Sequence, residues 1–130
     1  MHVQQAVPFF GVTNIERSAR WYIDRLGFAM KHSWRPEGKL QWCWLQHGDA
    51  ALMLQELRTV PEGTLGAGVS ICFLCDDAIA FYREVKSRGV DAKRPFVGNG
   101  LWVTSMADPD GYELYFESPT DAPEESELEE

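Results

Sequence analysis

Apolar and polar positions follow two different rhythms along this chain. Ile15, Ala19, Tyr22 and Leu26 recur at spacings of 4, 3 and 4, the stripe of a helix that buries one side. Asn14 precedes the stripe, where its side chain can accept from the free amides of the first turn, and Gly27 follows where a left-handed C-cap belongs. A second helix is predicted on the stripe Ala78, Phe81 and Val85, capped by Asp76 or Asp77 and closed by Gly89. After each helix come three strand-like runs: "FAMKHSW", "LQWCWLQ" and "AALMLQE", then "VDAKRPF", "LWVTSMA" and "YELYFES". Pro36-Glu37-Gly38, Gly48-Asp49, Gly98-Asn99-Gly100 and Asp108-Pro109-Asp110-Gly111 supply the turns.

The two series are related. "FFGVTNIERSARWYIDRLGF" and "ICFLCDDAIAFYREVKSRGV" each carry an apolar strand, a polar capping pair, a helix with an aromatic pair (Trp21-Tyr22, Phe81-Tyr82) and a closing glycine. The element order is therefore βαβββ twice, joined by "RTVPEGTLGAG". Two modules are expected at about residues 5–57 and 68–119, together one domain over 1–119.

Composition narrows what such a domain does. The net charge of −8 is concentrated in "TDAPEESELEE", where six carboxylates stand without a Lys or Arg. The body keeps 14 acidic and 12 basic residues, so residues 120–130 are predicted to be a solvated, disordered acidic tail. No basic patch suits a phosphate backbone, so nucleic acid is not an expected partner. No window approaches the run of about 20 apolar residues that spans a membrane. "MHVQQAVPFF" has no cationic start plus apolar core, and three cysteines lack framework spacing. A reducing, cytoplasmic setting is expected.

The βαβββ order, with "RSARWYIDRLGF", "AALMLQE" and "DPDGYELYFES", resembles the vicinal oxygen chelate superfamily over about residues 5–119. That group holds glyoxalase I, extradiol dioxygenases, fosfomycin-resistance enzymes and bleomycin-resistance proteins. "AVPFFGVTNIERSARWYIDRLGF" is most similar to the bleomycin-resistance branch. The resemblance implies an α+β fold in which two βαβββ modules form a curved mixed sheet around a cavity, often completed as a homodimer. It names no reaction, because members of one fold run unrelated chemistry.

Metal-dependent members hold a divalent ion on the first and fourth strands of each module. Carried over by position, those sites fall near Val7, at Met53 or Gln55, at Ser70 or Val69, and at Tyr115. None is a histidine or carboxylate, so no metal and no other cofactor is expected. Glu113 or Glu117, two residues either side of Tyr115, keep its face and are the least costly substitutes. Glu56 would require a one-residue slip that turns a whole apolar set outward. His2, His32 and His47 are expected at surface or rim positions. Cys72 and Cys75, three apart in one strand, should point to opposite faces.

In "LQWCWLQ", Trp42, Trp44 and Gln46 share one face, while Cys43 and Leu45 join Leu52 and Leu54 beneath the helix. The concave face then carries Trp42, Trp44, Met53 and Gln55, with Phe9 from the first strand and Tyr115 from the last. Ser70 adds a polar handle, and Trp102 is a further candidate whose facing the sequence leaves open. Such a pocket suits flat or cationic organic molecules through stacking and cation–π contact. The leading expectation is a metal-free binding protein resembling bleomycin-resistance proteins, sequestering a small-molecule ligand. The alternatives are a metal-dependent lyase, isomerase or dioxygenase with displaced ligands, and a scaffold whose dimer interface consumes the aromatics.

Overall fold

Both helices form where a side-chain cap meets an apolar stripe, and both are short enough to depend on the sheet beneath them. The computed structural model describes all 130 residues, which divide into two compact units, Met1–Leu65 and Gly66–Glu130.

The first unit runs β1 (Phe9–Val12), α1 (Ile15–Leu26), β2 (Ala29–Trp34), a 3₁₀ turn at Pro36–Gly38, β3 (Trp42–His47) and β4 (Ala50–Glu56). Its strand order is β1-β4-β3-β2, with β1 parallel to β4 and the other pairs antiparallel. The Asn14 side chain accepts the Arg17 amide at 3.1 Å, and Gly27, at φ 84°, returns its N–H to the Ile23 carbonyl. Ile15, Ala19, Tyr22 and Leu26 are buried, as the stripe predicts. Below them Phe10, Val12, Cys43, Leu45, Leu52 and Leu54 are at most 3% exposed. A one-residue slip of any strand would turn its share of this set to water, which fixes the register.

The second unit runs β5 (Ser70–Leu74), α2 (Ala78–Ser87), β6 (Lys93–Gly98), β7 (Leu101–Ala107) and β8 (Glu113–Pro119), ordered β5-β8-β7-β6. Asp77 is the cap, accepting from the Ala80 amide at 2.9 Å. The sheet also ties down the helix start: Ser118 Oγ accepts from the Ala78 amide at 2.8 Å, and Thr104 Oγ1 donates to the Ala78 carbonyl at 2.7 Å. The buried stripe is Ala78, Tyr82 and Val85, which corrects the expected Phe81. Spacings of 3 and 4 are equally helical, and Phe81 lies instead on the flank, its ring 4.3 Å from that of Phe116.

The Asp108–Gly111 turn is built around one buried carboxylate. Asp108 Oδ1 accepts from the amides of Asp110 (2.8 Å) and Tyr112 (3.0 Å), and the Asp108 carbonyl accepts from Gly111. The end of the linking loop packs onto this turn through Gly66, whose amide donates to the Asp110 carbonyl at 3.0 Å. A Cβ at Gly66 would lie 2.1 Å from the Tyr112 nitrogen, so only glycine fits.

The acidic segment 120–130 is not a disordered tail. It folds back on the outer edge of β6, pairing Glu127 with Phe96 and exchanging backbone hydrogen bonds with Pro95 and Val97. The open hydrogen-bonding groups of an edge strand and the nearby cations Lys86 and Arg94 give it partners that composition alone does not disclose.

Candidate functional site

In the first unit, the sheet face turned away from α1 carries two cross-strand rows. One is Phe9–Met53–Trp44–His32 and the other Gly11–Gln55–Trp42–Trp34. Trp42, Trp44 and Met53 are half-buried, whereas Phe9 and Trp34 at the ends of the rows are 53% and 55% exposed. The expected Phe9, Trp42, Trp44, Met53 and Gln55 thus stand together on one face.

His32 and Trp34 join them through a bulge. The pairing of β2 with β3 shifts between Met30 and His32, so Lys31 is the extra residue. Simple alternation from Ala29 would send His32 and Trp34 to the helix side. The bulge reverses them, placing His32 edge-on to Trp44 with centroids 6.2 Å apart and Trp34 opposite Trp42. Without the bulge, the sequence places His32 at the rim and Trp34 outside the site.

The Trp44 ring is held in place: its Nε1 donates to Gln46 Oε1 at 3.1 Å, and Gln46 Nε2 donates to the Gly48 carbonyl at 3.1 Å. Beside Trp34, a recess of about 430 Å³ is lined by Gln41, Gln55, Lys39, Glu56 and Arg58. Glu56 is committed to structure there, since its Oε1 accepts from the Ile15 amide at 3.1 Å and Oε2 lies 3.6 Å from Lys39 Nζ.

The corresponding face of the second unit is more polar. Its rows run Ser70–Glu113–Ala107, Cys72–Tyr115–Ser105–Lys93 and Leu74–Glu117–Val103–Phe96. Tyr115 is half-buried and Ser70 exposed. Cys72 donates its thiol to Glu117 Oε1 at 3.2 Å, and partial burial followed by that carboxylate pushes the thiol up to about 11. Burial raises Cys75 too, and pushes the enclosed Cys43 to about 11. Glu113 Oε2 is buried without a hydrogen-bond partner. Trp102 does not belong to this face: it pairs with Val97 and Ser118, both buried, on the side where Thr104 bonds α2.

The positions carried over from metal-dependent members hold Val7, Met53 or Gln55, Ser70 or Val69, and Tyr115, and Val7 precedes the first strand. None of these side chains is an imidazole or a carboxylate, and the one amide oxygen that Gln55 could add is not a donor set for a hard divalent ion. No three His, Cys, Asp or Glu side chains come together to substitute for them. What the first unit offers instead is a broad aromatic surface with amide groups at its margin, suited to stacking on a planar molecule.

Comparison with known proteins agrees with this architecture. The family model of the glyoxalase/bleomycin resistance protein/dioxygenase superfamily matches residues 2–116. A bleomycin resistance determinant encoded on the transposon Tn5 is 27% identical, with a TM-score of 0.74 over 90% of this chain and 98% of that one. A bleomycin-binding protein solved with bleomycin is 26% identical, with a TM-score of 0.74 over 91% and 100%. TnmS3, an antibiotic-binding protein from Streptomyces sp. CB03234, shares the fold at 20% identity and TM-score 0.70, covering 92% and 100%. No curated protein matches the sequence. No helix is long and apolar enough to cross a membrane. The chain belongs to the glyoxalase/bleomycin resistance protein/dioxygenase superfamily.

Proposed function

We propose that this protein binds and sequesters a small aromatic or cationic organic molecule without metal or turnover, in the manner of the bleomycin-resistance proteins it resembles. The observation that carries this reading is the aromatic sheet face of the first unit, with Trp42 and Trp44 flanked by exposed Phe9 and Trp34. A planar ligand stacking there covers apolar surface and gains about 0.5–1.5 kcal/mol per aromatic pair beyond that burial. A cationic group over an indole adds a further attraction. Gln55 and His32 at the rim can orient polar substituents.

The test is titration of tryptophan fluorescence with bleomycin, the ligand of one similar structure, and with a panel of planar and cationic compounds. Trp44→Ala should weaken binding at least about tenfold, a loss of about 1.4 kcal/mol, while the far-ultraviolet circular dichroism stays unchanged. Unchanged affinity in a folded variant would count against this face as the site.

A metal-dependent lyase, isomerase or dioxygenase is the second reading, favoured by Glu113 and Glu117 flanking Tyr115 and by the unpartnered Glu113 Oε2. About one tightly held Mn, Fe, Ni or Zn per purified chain would replace the binding-only reading with this one. We further propose that the protein works as a homodimer in the cytoplasm. Exposed Leu74 and Phe96 support an assembly that covers them, and three free cysteines support a reducing compartment. Light scattering that returns a monomer mass at all concentrations would remove the dimer.

A further inference from the structure

We propose that the outer edge of β6, with Tyr82, Lys86 and Arg94, is a docking groove for an acidic peptide that turns at Glu124–Glu125 and then runs along the strand, and that the chain's own C-terminal segment is its resident occupant. The recognition has two layers. The first is backbone pairing: Glu125 N donates to the Val97 carbonyl, Val97 N to the Ser126 carbonyl, and Leu128 N to the Pro95 carbonyl, each at 2.9 Å. Pro95 has no N–H, so its place on an edge strand leaves one acceptor for Leu128 and no donor unmet.

The second layer is carboxylate selection by three separate elements. Both oxygens of Glu124 are held by the Asn99–Gly100 turn, whose residues have φ of 54° and 76°; the Asn99 amide meets one oxygen and the Gly100 amide the other at 3.2 Å. Glu127 Oε2 lies 3.8 Å from an Arg94 guanidinium nitrogen. Glu130 accepts from the Tyr82 hydroxyl, lies 3.2 Å from Lys86 Nζ, and reaches Arg94 at 4.0 Å. The Tyr82 hydroxyl and then Lys86 hold the Glu130 carboxyl below its ordinary range. The groove therefore takes a carboxylate at every third residue, Glu124, Glu127 and Glu130.

Release is built into the same contacts. Lys86, Arg94, Glu127 and Glu130 are all substantially exposed, so salt screens their attraction. A free peptide of the same sequence competes only against a tethered copy at high effective concentration. The groove is thus self-occupied at low salt and opens when the carboxylates are removed.

The test uses the full-length chain and a fluorescent peptide of Thr120–Glu130. Glu124→Ala, Glu127→Ala and Glu130→Ala are combined in one full-length variant. Exchange of the Val97, Glu125 and Leu128 amides should accelerate at least about tenfold, with β7 and β8 amides unchanged. The peptide should then bind this variant at least about tenfold more tightly than the wild type at low salt. That binding should be lost at about 0.5 M salt, and on adding Lys86→Gln and Arg94→Gln. Equal protection in the variant, equal binding to both proteins, or binding to neither overturns the proposal. So does undiminished binding of a peptide with glutamines at the three positions. If the triple variant fails to fold, wild type at about 0.5 M salt provides the exchange measurement, where unchanged protection is equally fatal.

Discussion

The two units share one plan and differ on one face. Each puts a capped helix on a sheet of order first-fourth-third-second strand, and each buries the same alternating set beneath that helix. Met53 pairs with Phe9 in one unit as Tyr115 pairs with Cys72 in the other. On the face away from the helix the likeness ends: tryptophans and phenylalanine stand in the first unit, and Glu113, Glu117, Tyr115 and Cys72 in the second. The helix side is constrained by packing, where a change of one methylene is felt. The other face is half-open, so fewer packing contacts constrain which side chains it carries.

The core should be equally intolerant in both units. Leu52→Ala and Leu114→Ala occupy matched places immediately before Met53 and Tyr115, and both side chains are fully buried. Each should lose about 2–5 kcal/mol in urea unfolding. Trp42→Ala on the half-open face should cost clearly less; a loss as large as that of Leu52→Ala would mean the aromatic face is structural core.

Asp108→Ala sharpens the contrast between turns. The variant strands the amides of Asp110 and Tyr112 in a buried setting, for an expected loss of about 1–3 kcal/mol by the same measurement. Asp49→Ala in the two-residue turn of the first unit should fall within about 0.5 kcal/mol. A similar loss at both positions would show that the buried carboxylate has no special role.

The caps should match each other. Asn14→Ala and Asp77→Ala each remove one side-chain acceptor from a helix start, so each should cost about 1 kcal/mol. A much smaller effect in the second unit would indicate that Ser118 and Thr104 suffice to anchor α2.

The smallest expected effect concerns the thiols. Cys72 is exposed yet stays protonated at pH 8, because burial of its sulfur and the Glu117 carboxylate raise its pKa to about 11. Glu117→Gln removes the carboxylate contribution and leaves burial, so labelling of Cys72 at pH 8 should speed by only about a few fold. Cys43 should not respond. Unchanged Cys72 labelling would indicate that burial alone sets its reactivity.

The sequence discloses these features unevenly. Caps, stripes and turns are local, and Asn14, Gly27 and Asp108–Gly111 occupy the places their chemistry dictates. The aromatic face follows from alternation in β3 and β4, but Trp34 and His32 reach it only through the bulge at Lys31, which no residue type announces. Trp102 illustrates the same limit, since its facing depends on pairing with Ser118 and Val97. Phe81 and Tyr82 are both at helical spacing, and tertiary fit selects Tyr82. The acidic segment was hidden most deeply, because charge content does not distinguish a solvated strand from one seated against Lys86 and Arg94.

Gly66 has a consequence for where this chain can be lengthened. With its amide on the Asp110 carbonyl and no room for a Cβ, it fixes the point at which the connecting segment enters the second unit. Residues 59–64 lie upstream of that point and are exposed. Insertions or fused domains belong there, and displacing Gly66 by a single residue would wedge the join apart.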